Sequence, residues 1–399
     1  MRKHSSHVFA LPHTFLSGIP REIILELQDF GLTGVNLALN YHGSRDFLLR
    51  QGPRLEYLKD GFHYYKPNLD CYPEISLKPT PSDHLLDNGM LDSVISSGKE
   101  LNFKINAWAV FLHNSALGVR NPESTVVNVY GNHFLSELCP ANPEVRGYVV
   151  GLTADLASRG ISSLAIESLH FHGARHGEHH ERFFLEMSTT TEFLLSLCFC
   201  EACMDRFNES GGDALLLKRK IIDALRPFID DEDPWLGLEL TKDFLENILG
   251  SDILNYLKVR EETVSSLYQA VKETAHSAKV TIRFIDQAPL IDISSLEPLN
   301  LSWMLGIDNS KIRRYVDIYE PLVYRKSAHE VESMASHYRK IVGGEIIPIL
   351  RPTFPDNLSQ ETLMEKVRHL REIGIENIDF YLLDTMRPRD LIWIRNALS

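Results

Sequence analysis

The sequence predicts an α/β fold, a (β/α)8 TIM barrel built as a single domain over residues 1–399. Two observations indicate this fold. Short apolar runs alternate with helical patterns along the chain, and there are eight such runs, the number that closes a parallel barrel. An open doubly wound sheet is the alternative, but no Gly-x-Gly-x-x-Gly or other phosphate-cradling glycine loop follows the first run.

The predicted elements follow in order. The strands cover residues 7–11, 34–39, 102–111, 161–167, 279–286, 321–324, 345–350 and 378–383. The helices cover residues 20–30, 83–99, 143–158, 328–341, 359–373 and 388–397. Gly31 ends the first helix, and Asn142 with Pro143 marks the start of the third. Residues 301–305 could form a short additional strand.

Three segments are too long to be simple connections. The segment 168–277, mostly helical from about residue 203, predicts a long helical insertion after the fourth strand. The loops after the second and third strands are also long, and loops of this length commonly form walls of a binding site. We therefore expect extended loops at the mouth of the barrel.

Composition and charge narrow the class of protein. The chain is 44% apolar and 24% charged, which is ordinary for a globular protein. Its formal net charge of −13 argues against a nucleic-acid partner, because phosphate binding needs clustered lysine and arginine. No apolar run approaches a membrane span, and the polar start has no signal-peptide core. Five cysteines, three of them within six residues, favour a reduced cytoplasm and a metal site over disulfides.

The carboxyl ends of the strands are where a TIM barrel carries its reacting groups. The residues at these ends are Asn40, His42, Trp108, Glu167, Asp286, Tyr324, Arg351 and Asp384. In the fourth strand Ala165 and Glu167 share one face, while Leu164 and Ile166 share the other. We expect the small residues to point inward, which aims Glu167 at the mouth. Glu167 is therefore predicted to be catalytic, and a salt-bridged strand end is the alternative.

Aromatic residues lie near the same strand ends. They are Tyr41, Trp108, Phe111, Phe171, Tyr324 and Tyr381. A sugar ring has apolar C–H faces and a rim of hydroxyls, so aromatic faces among carboxylates and amides suit it. The alternative is that most of these aromatic residues belong to the core.

The clustered cysteines predict a metal site. Cys198, Cys200 and Cys203 can supply three thiolates to a tetrahedral Zn²⁺. A fourth ligand is needed, and the remaining cysteines are Cys71 and Cys139.

Three features together resemble glycoside hydrolase family 42, the zinc-containing β-galactosidases. They are Cys-Pro-Ala-Asn-Pro-Glu-Val-Arg at 139–146, the acid at the end of the fourth strand, and Cys-Phe-Cys-Glu-Ala-Cys-Met-Asp-Arg-Phe at 198–207. The resemblance implies one structural zinc on Cys139, Cys198, Cys200 and Cys203, and Glu167 as the general acid/base. The chain also resembles uncharacterised bacterial glycosyl hydrolases of the TIM-barrel type. The resembling galactosidases often form trimers, which leaves a homo-oligomer open here.

The sequence departs from the family at two positions. Ile166 precedes Glu167 where the family has asparagine, and the seventh predicted strand ends in Arg351 where the family has its glutamate nucleophile. Glycosidases use two carboxylates, so a second one must lie elsewhere. Asp286 is our first candidate and Asp384 the second, although Asp286 could equally pair with Arg283 or Arg351. Arg351 could also bind an acidic group of the substrate.

The predicted function is hydrolysis of a glycosidic bond, with a carbohydrate or glycoside as substrate. His42, His172, Asn40, Trp108, Tyr324 and Arg351 are the predicted substrate-binding residues. One competing hypothesis is a metal-dependent hydrolase or lyase that uses the His-rich loop, which contains His170, His172, His176, His179 and His180. The other is a catalytically inactive carbohydrate-binding barrel.

Overall fold

The computed structural model describes residues 4–16, 18–50, 52–83, 89–175 and 181–399. Eight parallel strands form one sheet: β1 His7–Ala10, β2 Gly34–Ala38, β3 Lys104–Val110, β4 Ser163–Glu167, β5 Thr281–Asp286, β6 Ile318–Pro321, β7 Ile349–Leu350 and β8 Asp379–Phe380. Each strand pairs with the next, and β8 pairs with β1. Parallel bridges from Tyr319 to Ile346 and from Leu322 to Ile349 join β6 to β7 and close the barrel.

The helices that accompany the strands are α1 Pro20–Asp29, α2 Met90–Glu100, α3 Pro143–Ala157, α4 Asp252–His276, α5 Asn309–Ile312, α6 Ala328–Val342, α7 Gln360–Glu372 and α8 Pro388–Leu398. Asn142 caps α3 by accepting hydrogen bonds from the amides of Glu144 and Val145. Gly31 follows α1 with a φ of +82°, a conformation that glycine adopts without strain. The predicted (β/α)8 barrel is confirmed.

The loops carry the remaining elements. Short strands lie at Asn40–Tyr41, Phe62–His63 and Thr80–Pro81, and hairpins pair Ser44–Leu48 with Arg54–Leu58 and Thr125–Val127 with His133–Leu138. Single helical turns occur at His13–Leu16, Leu69–Cys71, Ser115–Gly118, Pro122–Ser124, Ala288–Leu290 and Leu383–Thr385. After β4, the helices Thr189–Ser196, Glu201–Glu209, Ala214–Asp230 and Lys242–Leu249 enclose an apolar cluster of their own before α4 returns to the barrel.

Two predicted elements differ from the observed ones. Residues 301–305, predicted as a strand, belong to the 3-10 helix Pro298–Leu305, which begins with a proline and ends at Gly306. The sixth strand lies at Ile318–Pro321 rather than at 321–324. An apolar run of four residues fits either a strand or one helical turn, because so short a segment has no readable period.

Side chains of the strands divide into an inner and an outer layer. Ala165, Trp108 and Ile285 belong to the inner cluster, whereas Leu164 and Ile166 pack in the outer cluster beneath the helices. The alternation in β4 therefore has the predicted orientation. Within the described residues, the helices are too short or too polar to cross a membrane.

A buried network of ionic and polar side chains lies in the barrel interior. Arg283 on β5 donates its Nε–H to Glu320 Oε1 at 2.8 Å, and its Nη2 also binds Glu320 and Asp379. The side chains that complete this network are His7, Asn36 and Asn106. Arg283 thus pairs with carboxylates on β6 and β8, not with Asp286. Buried charges need such partners, because an unpaired ion in the interior costs several kcal/mol.

Candidate active site

Glu167 lies at the carboxyl end of β4, where its carboxyl group is held on both oxygens. Trp108 Nε1 donates to Oε2 at 2.6 Å, and Gln287 Nε2 donates to Oε1 at 2.9 Å. His42 Nε2 stands 3.8 Å from Oε1. Burial raises the pKa of Glu167 to about 7, although the Trp108 hydrogen bond and the nearby His113 act to lower it. A carboxyl group that keeps its proton near neutral pH can act as an acid.

Gln287 connects Glu167 to the loop that follows β4. Its Oε1 accepts a hydrogen bond from Ser168 Oγ at 3.1 Å and lies 2.9 Å from His170 Nε2. Ser168 has a φ of +57°, which is costly for a residue with a side chain, and it stands directly after Glu167. Gln287, which directly follows β5, therefore ties Glu167 and the start of this loop to β5.

An aromatic wall stands beside Glu167. Trp108 packs edge-on against Tyr41 with ring centroids 4.6 Å apart, and Tyr381 lies 5.9 Å away. The hydroxyls of Tyr41 and Tyr381 are 2.9 Å apart. Because Trp108 is buried and its N–H is engaged by Glu167, it holds the carboxyl group rather than offering a face to a substrate. Tyr381 is only partly buried.

A row of histidine rings continues from the aromatic wall, where His42 lies 3.9 Å from Tyr41 between ring centroids. His42 lies 5.6 Å from His113, which lies 5.9 Å from His172, and His172 lies 4.6 Å from His170. Asp60 holds His113, with 3.0 Å between Asp60 Oδ1 and His113 Nδ1. These rings surround the mouth, but among the described histidines no three ligand atoms come together as a metal would require. His176, His179 and His180 lie outside the described residues.

Tyr324 and Arg351 occupy the side of the mouth formed by β6 and β7. The Arg351 guanidinium lies 4.4 Å from the centre of the Tyr324 ring, and its Nε is 3.6 Å from Asp356 Oδ2. The Tyr324 ring is 6.1 Å from Tyr381. The structure therefore brings Tyr324 and Arg351 to the same end of the barrel as Glu167.

Two predicted site residues have other partners. Asn40 is buried, and its amide accepts from the Val110 N–H at 3.0 Å, so it ties β2 to β3. Asp384 is also buried, and it accepts from the Leu11 N–H at 2.7 Å and from Thr14 Oγ1 at 2.8 Å. Both side chains hold the backbone instead of facing a substrate.

Asp286, the predicted second carboxylate, requires the main correction. It is fully buried and accepts hydrogen bonds from Tyr338 Oη on α6 at 3.0 Å and from the Ala288 N–H at 2.8 Å. Along β5 it shares a face with Ile282 and Phe284, which belong to the outer cluster. Asp286 therefore faces α6, not the barrel axis. Burial raises the pKa of Asp286 to about 6.

Asp46 is a carboxylate at the mouth that the sequence analysis did not identify. It lies on the hairpin Ser44–Leu48 and accepts a hydrogen bond from Ser44 Oγ at 2.6 Å. Burial raises the pKa of both Tyr41 and Tyr381, and the negative charges of Glu167 and Asp46 act in the same direction on both tyrosines. Both carboxylates thus lie within electrostatic reach of one tyrosine pair.

The four cysteines Cys139, Cys198, Cys200 and Cys203 form a buried group apart from the mouth. Their sulfur atoms all lie within 4.8 Å of one another, and Cys139 Sγ is 3.5 Å from both Cys200 and Cys203 and 3.7 Å from Cys198. Tetrahedral zinc with Zn–S bonds of about 2.3 Å separates its sulfur ligands by about 3.8 Å. The group could hold a metal ion, and Cys71 is not part of it.

Comparison with solved structures identifies the class of fold. The PgaB (BpsB) glycoside hydrolase domain from Bordetella bronchiseptica is similar at a TM-score of 0.62 and 12% identity, over 99% of both chains. A catalytic mutant of Gan42B, a GH42 β-galactosidase from G. stearothermophilus, is similar at 0.60 and 12% identity, over all of this chain and 56% of the other. An inactive mutant of the GH20 exo β-N-acetylglucosaminidase from Vibrio harveyi is similar at 0.51 and 9% identity, over all of this chain and 54% of the other.

These similarities define a TIM barrel of the kind found in glycoside hydrolases. The chain spans a little more than half of the second and third structures. No protein-family model matches the sequence, and neither does any curated protein.

Proposed function

We propose that the protein hydrolyses a glycosidic bond and that Glu167 donates the proton to the leaving oxygen. The observation that carries the proposal is a buried carboxyl group at the barrel mouth, held on both oxygens by Trp108 and Gln287. Its pKa of about 7 leaves a large fraction protonated at neutral pH. The similarity of the fold to glycoside hydrolases supports the same function.

Asp46 replaces Asp286 as the second carboxylate in this proposal. Asp46 and Glu167 act on the same two tyrosines at the mouth, whereas Asp286 faces α6. Asp46 would activate a water or attack the sugar directly, and the distance between the two carboxyl groups in a substrate complex would distinguish these mechanisms.

The remaining mouth residues would contact the sugar. Tyr381 offers a partly exposed ring, and His42 and Arg351 offer polar groups with 31% and 28% of their side chains exposed. His172 and Tyr324 are more deeply buried and would border the site.

We also propose that the four cysteines bind one structural zinc ion. The observed sulfur separations of 3.5–3.7 Å are close to those of a tetrahedral thiolate site. Cys139 precedes α3, and the other three cysteines lie in the insertion. The metal would therefore fasten the insertion to the barrel.

The function is tested first with a panel of aryl glycosides that differ in the sugar and its anomeric configuration. We expect the wild-type protein to release the aryl group from at least one member, and Glu167→Gln to lose more of that activity as the aryl leaving group becomes poorer. Release by neither protein, with both folded, would contradict the glycosidase proposal.

Asp46→Asn should lower kcat by at least about 10²-fold on every active glycoside, because attack at the anomeric carbon is needed whatever the leaving group. Asp286→Asn is the matched control and should change kcat by only a few-fold, since that side chain faces α6. Steady-state kinetics of both variants measure the difference. If Asp286→Asn loses most of its kcat while Asp46→Asn keeps nearly the wild-type kcat, Asp286 is the second carboxylate.

Gln287→Leu should move the alkaline limb of the kcat/KM profile to higher pH. The Gln287 N–H stabilises the ionised carboxylate of Glu167, so its removal raises the pKa of the acid and keeps it protonated longer. Gln269→Leu, on the outer surface of α4, is the control. An unchanged limb in Gln287→Leu would show that the amide does not set the protonation of Glu167.

A carbohydrate-binding barrel without catalysis is the second candidate function. The observation that favours it is β7, whose last residue is followed by Arg351 and not by an acid. Sugar binding by wild-type and Glu167→Gln protein, with no turnover by either, would select this function.

A further inference from the structure

A cavity of about 310 Å³ lies beside the Glu167 site, between the insertion and the loops after β4 and β5. One of its walls is apolar and consists of Phe193, Leu290, Ile291, Met304 and Leu305. The proposed proton donor and the aromatic residues at the mouth do not line this cavity.

Gln287 joins the cavity to the proposed proton donor. The residue lines the cavity, and its Nε2 donates to Glu167 Oε1 at 2.9 Å. His170 and His172 line it as well. A general acid must reach the oxygen of the leaving group, so the leaving group binds on the side of the scissile bond where the acid stands. The cavity is therefore placed to receive that group.

Some of the polar groups around the cavity contact one another or the backbone. Arg175 Nε is 3.8 Å from Glu192 Oε2, and the Arg175 guanidinium lies 5.0 Å from the centre of the Phe183 ring. Ser196 Oγ accepts from the Ala174 N–H at 2.7 Å and donates to the Glu192 carbonyl at 2.6 Å. The five apolar side chains of the lining offer no partner to the hydroxyls of a second sugar, whereas an apolar ring would pack against them.

We propose that this cavity binds an aromatic or similarly hydrophobic leaving group, so that the substrate is a glycoside of a phenol or hydrophobic alcohol. This inference rests on the proposed function. In the reaction the glycosidic C–O bond breaks and the leaving oxygen takes the proton of Glu167. The oxygen of water bonds to the sugar, and the proton that this water loses restores the acid.

The first test measures binding without turnover, by titrating the protein with 2-naphthol and following its fluorescence. Gly173→Leu should fill the cavity, since a Cβ there meets nothing closer than Ser196 Oγ at 3.8 Å. Ile291→Asp should make the apolar wall polar. We expect each to weaken binding by roughly tenfold or more, the equivalent of burying a few fewer methylene groups. Ile293→Asp, two residues along the same loop and outside the cavity, is the control and should bind as the wild type does.

The second test compares two substrates that carry the same active sugar, one with a 2-naphthyl and one with a sugar leaving group. Ile291→Asp should raise KM roughly tenfold for the naphthyl glycoside and change KM for the disaccharide much less, because a sugar in the same place gains little from an apolar contact. Equal effects of the substitution on KM for both substrates would overturn the subsite. So would a 2-naphthol affinity that neither Gly173→Leu nor Ile291→Asp lowers. These outcomes leave the proposed function standing, because Glu167→Gln decides that separately and should bind 2-naphthol normally.

Discussion

Glu167→Gln is expected to lower kcat on a glycoside with a poor leaving group by on the order of 10²–10⁴-fold. The substitution keeps the shape of the side chain and removes its titratable proton, and it replaces one of the two accepting oxygens by an NH₂ donor. On a nitrophenyl glycoside, whose leaving group needs little protonation, the loss should be much smaller. Steady-state kinetics on the two substrates measure this ratio, and an equal loss on both would show that Glu167 is not the acid.

The pH dependence provides an independent check on the same residue. A general acid acts in its protonated form, so wild-type activity should fall as the pH rises through about 7, the pKa of Glu167. In Glu167→Gln this alkaline limb should disappear from the residual activity. If the residual activity of Glu167→Gln still falls at the same pH, a group other than Glu167 is titrating.

Unfolding experiments show whether Glu167→Gln remains folded, and the pH dependence of its stability gives a further check on the pKa of Glu167. The pKa of Glu167 rises from 4.5 to about 7 in the folded protein, so its contribution to stability is fully present below pH 4.5 and is lost as the pH rises through 7. At about 1.4 kcal/mol per pKa unit, the loss amounts to ~3 kcal/mol. Glu167→Gln carries no such charge. Its free energy of unfolding relative to wild type should therefore increase between pH 4.5 and pH 8.

Cys198→Ser is expected to release the metal and lower the free energy of unfolding by more than about 3 kcal/mol. The four-ligand group predicts about one zinc per chain by elemental analysis of the wild type. Loss of the Cys198 thiolate leaves three of the four proposed ligands. The metal would then no longer link the insertion to Cys139, which precedes α3. The control is Cys71→Ser, which removes a half-buried thiol outside the group and should change stability little.

Two results would contradict the zinc proposal. One is wild-type protein that contains no zinc and has the same melting temperature with and without a chelator. The other is equal destabilisation by Cys198→Ser and Cys71→Ser, which would indicate buried thiols without a metal. Activity measured at low temperature should survive in Cys198→Ser, because the cysteines do not line the mouth.

Strand orientation was predictable only where the two faces differ in size. In β4, small Ala165 alternates with large Leu164 and Ile166, and this contrast aimed Glu167 inward. In β5 both faces carry large residues, so the same alternation did not reveal that Asp286 points outward. The alternation also did not reveal that Arg283 on the inner face is paired with two carboxylates, one on the neighbouring β6 and one on β8.

Sequence alone determined the elements that depend on local pattern: the eight alternating strands, the inward Glu167, and the group of three cysteines in the insertion. Tertiary structure alone decided which side chains meet across strands. It brought Gln287 to Glu167 and turned Asp286 toward Tyr338. It also brought Asp46 close enough to Tyr41 and Tyr381 for its negative charge to raise the pKa of both. The physical reason is distance along the chain. Periodicity fixes the direction of a side chain relative to its neighbours, whereas a contact between residues 120 or 52 positions apart depends on how the whole barrel closes.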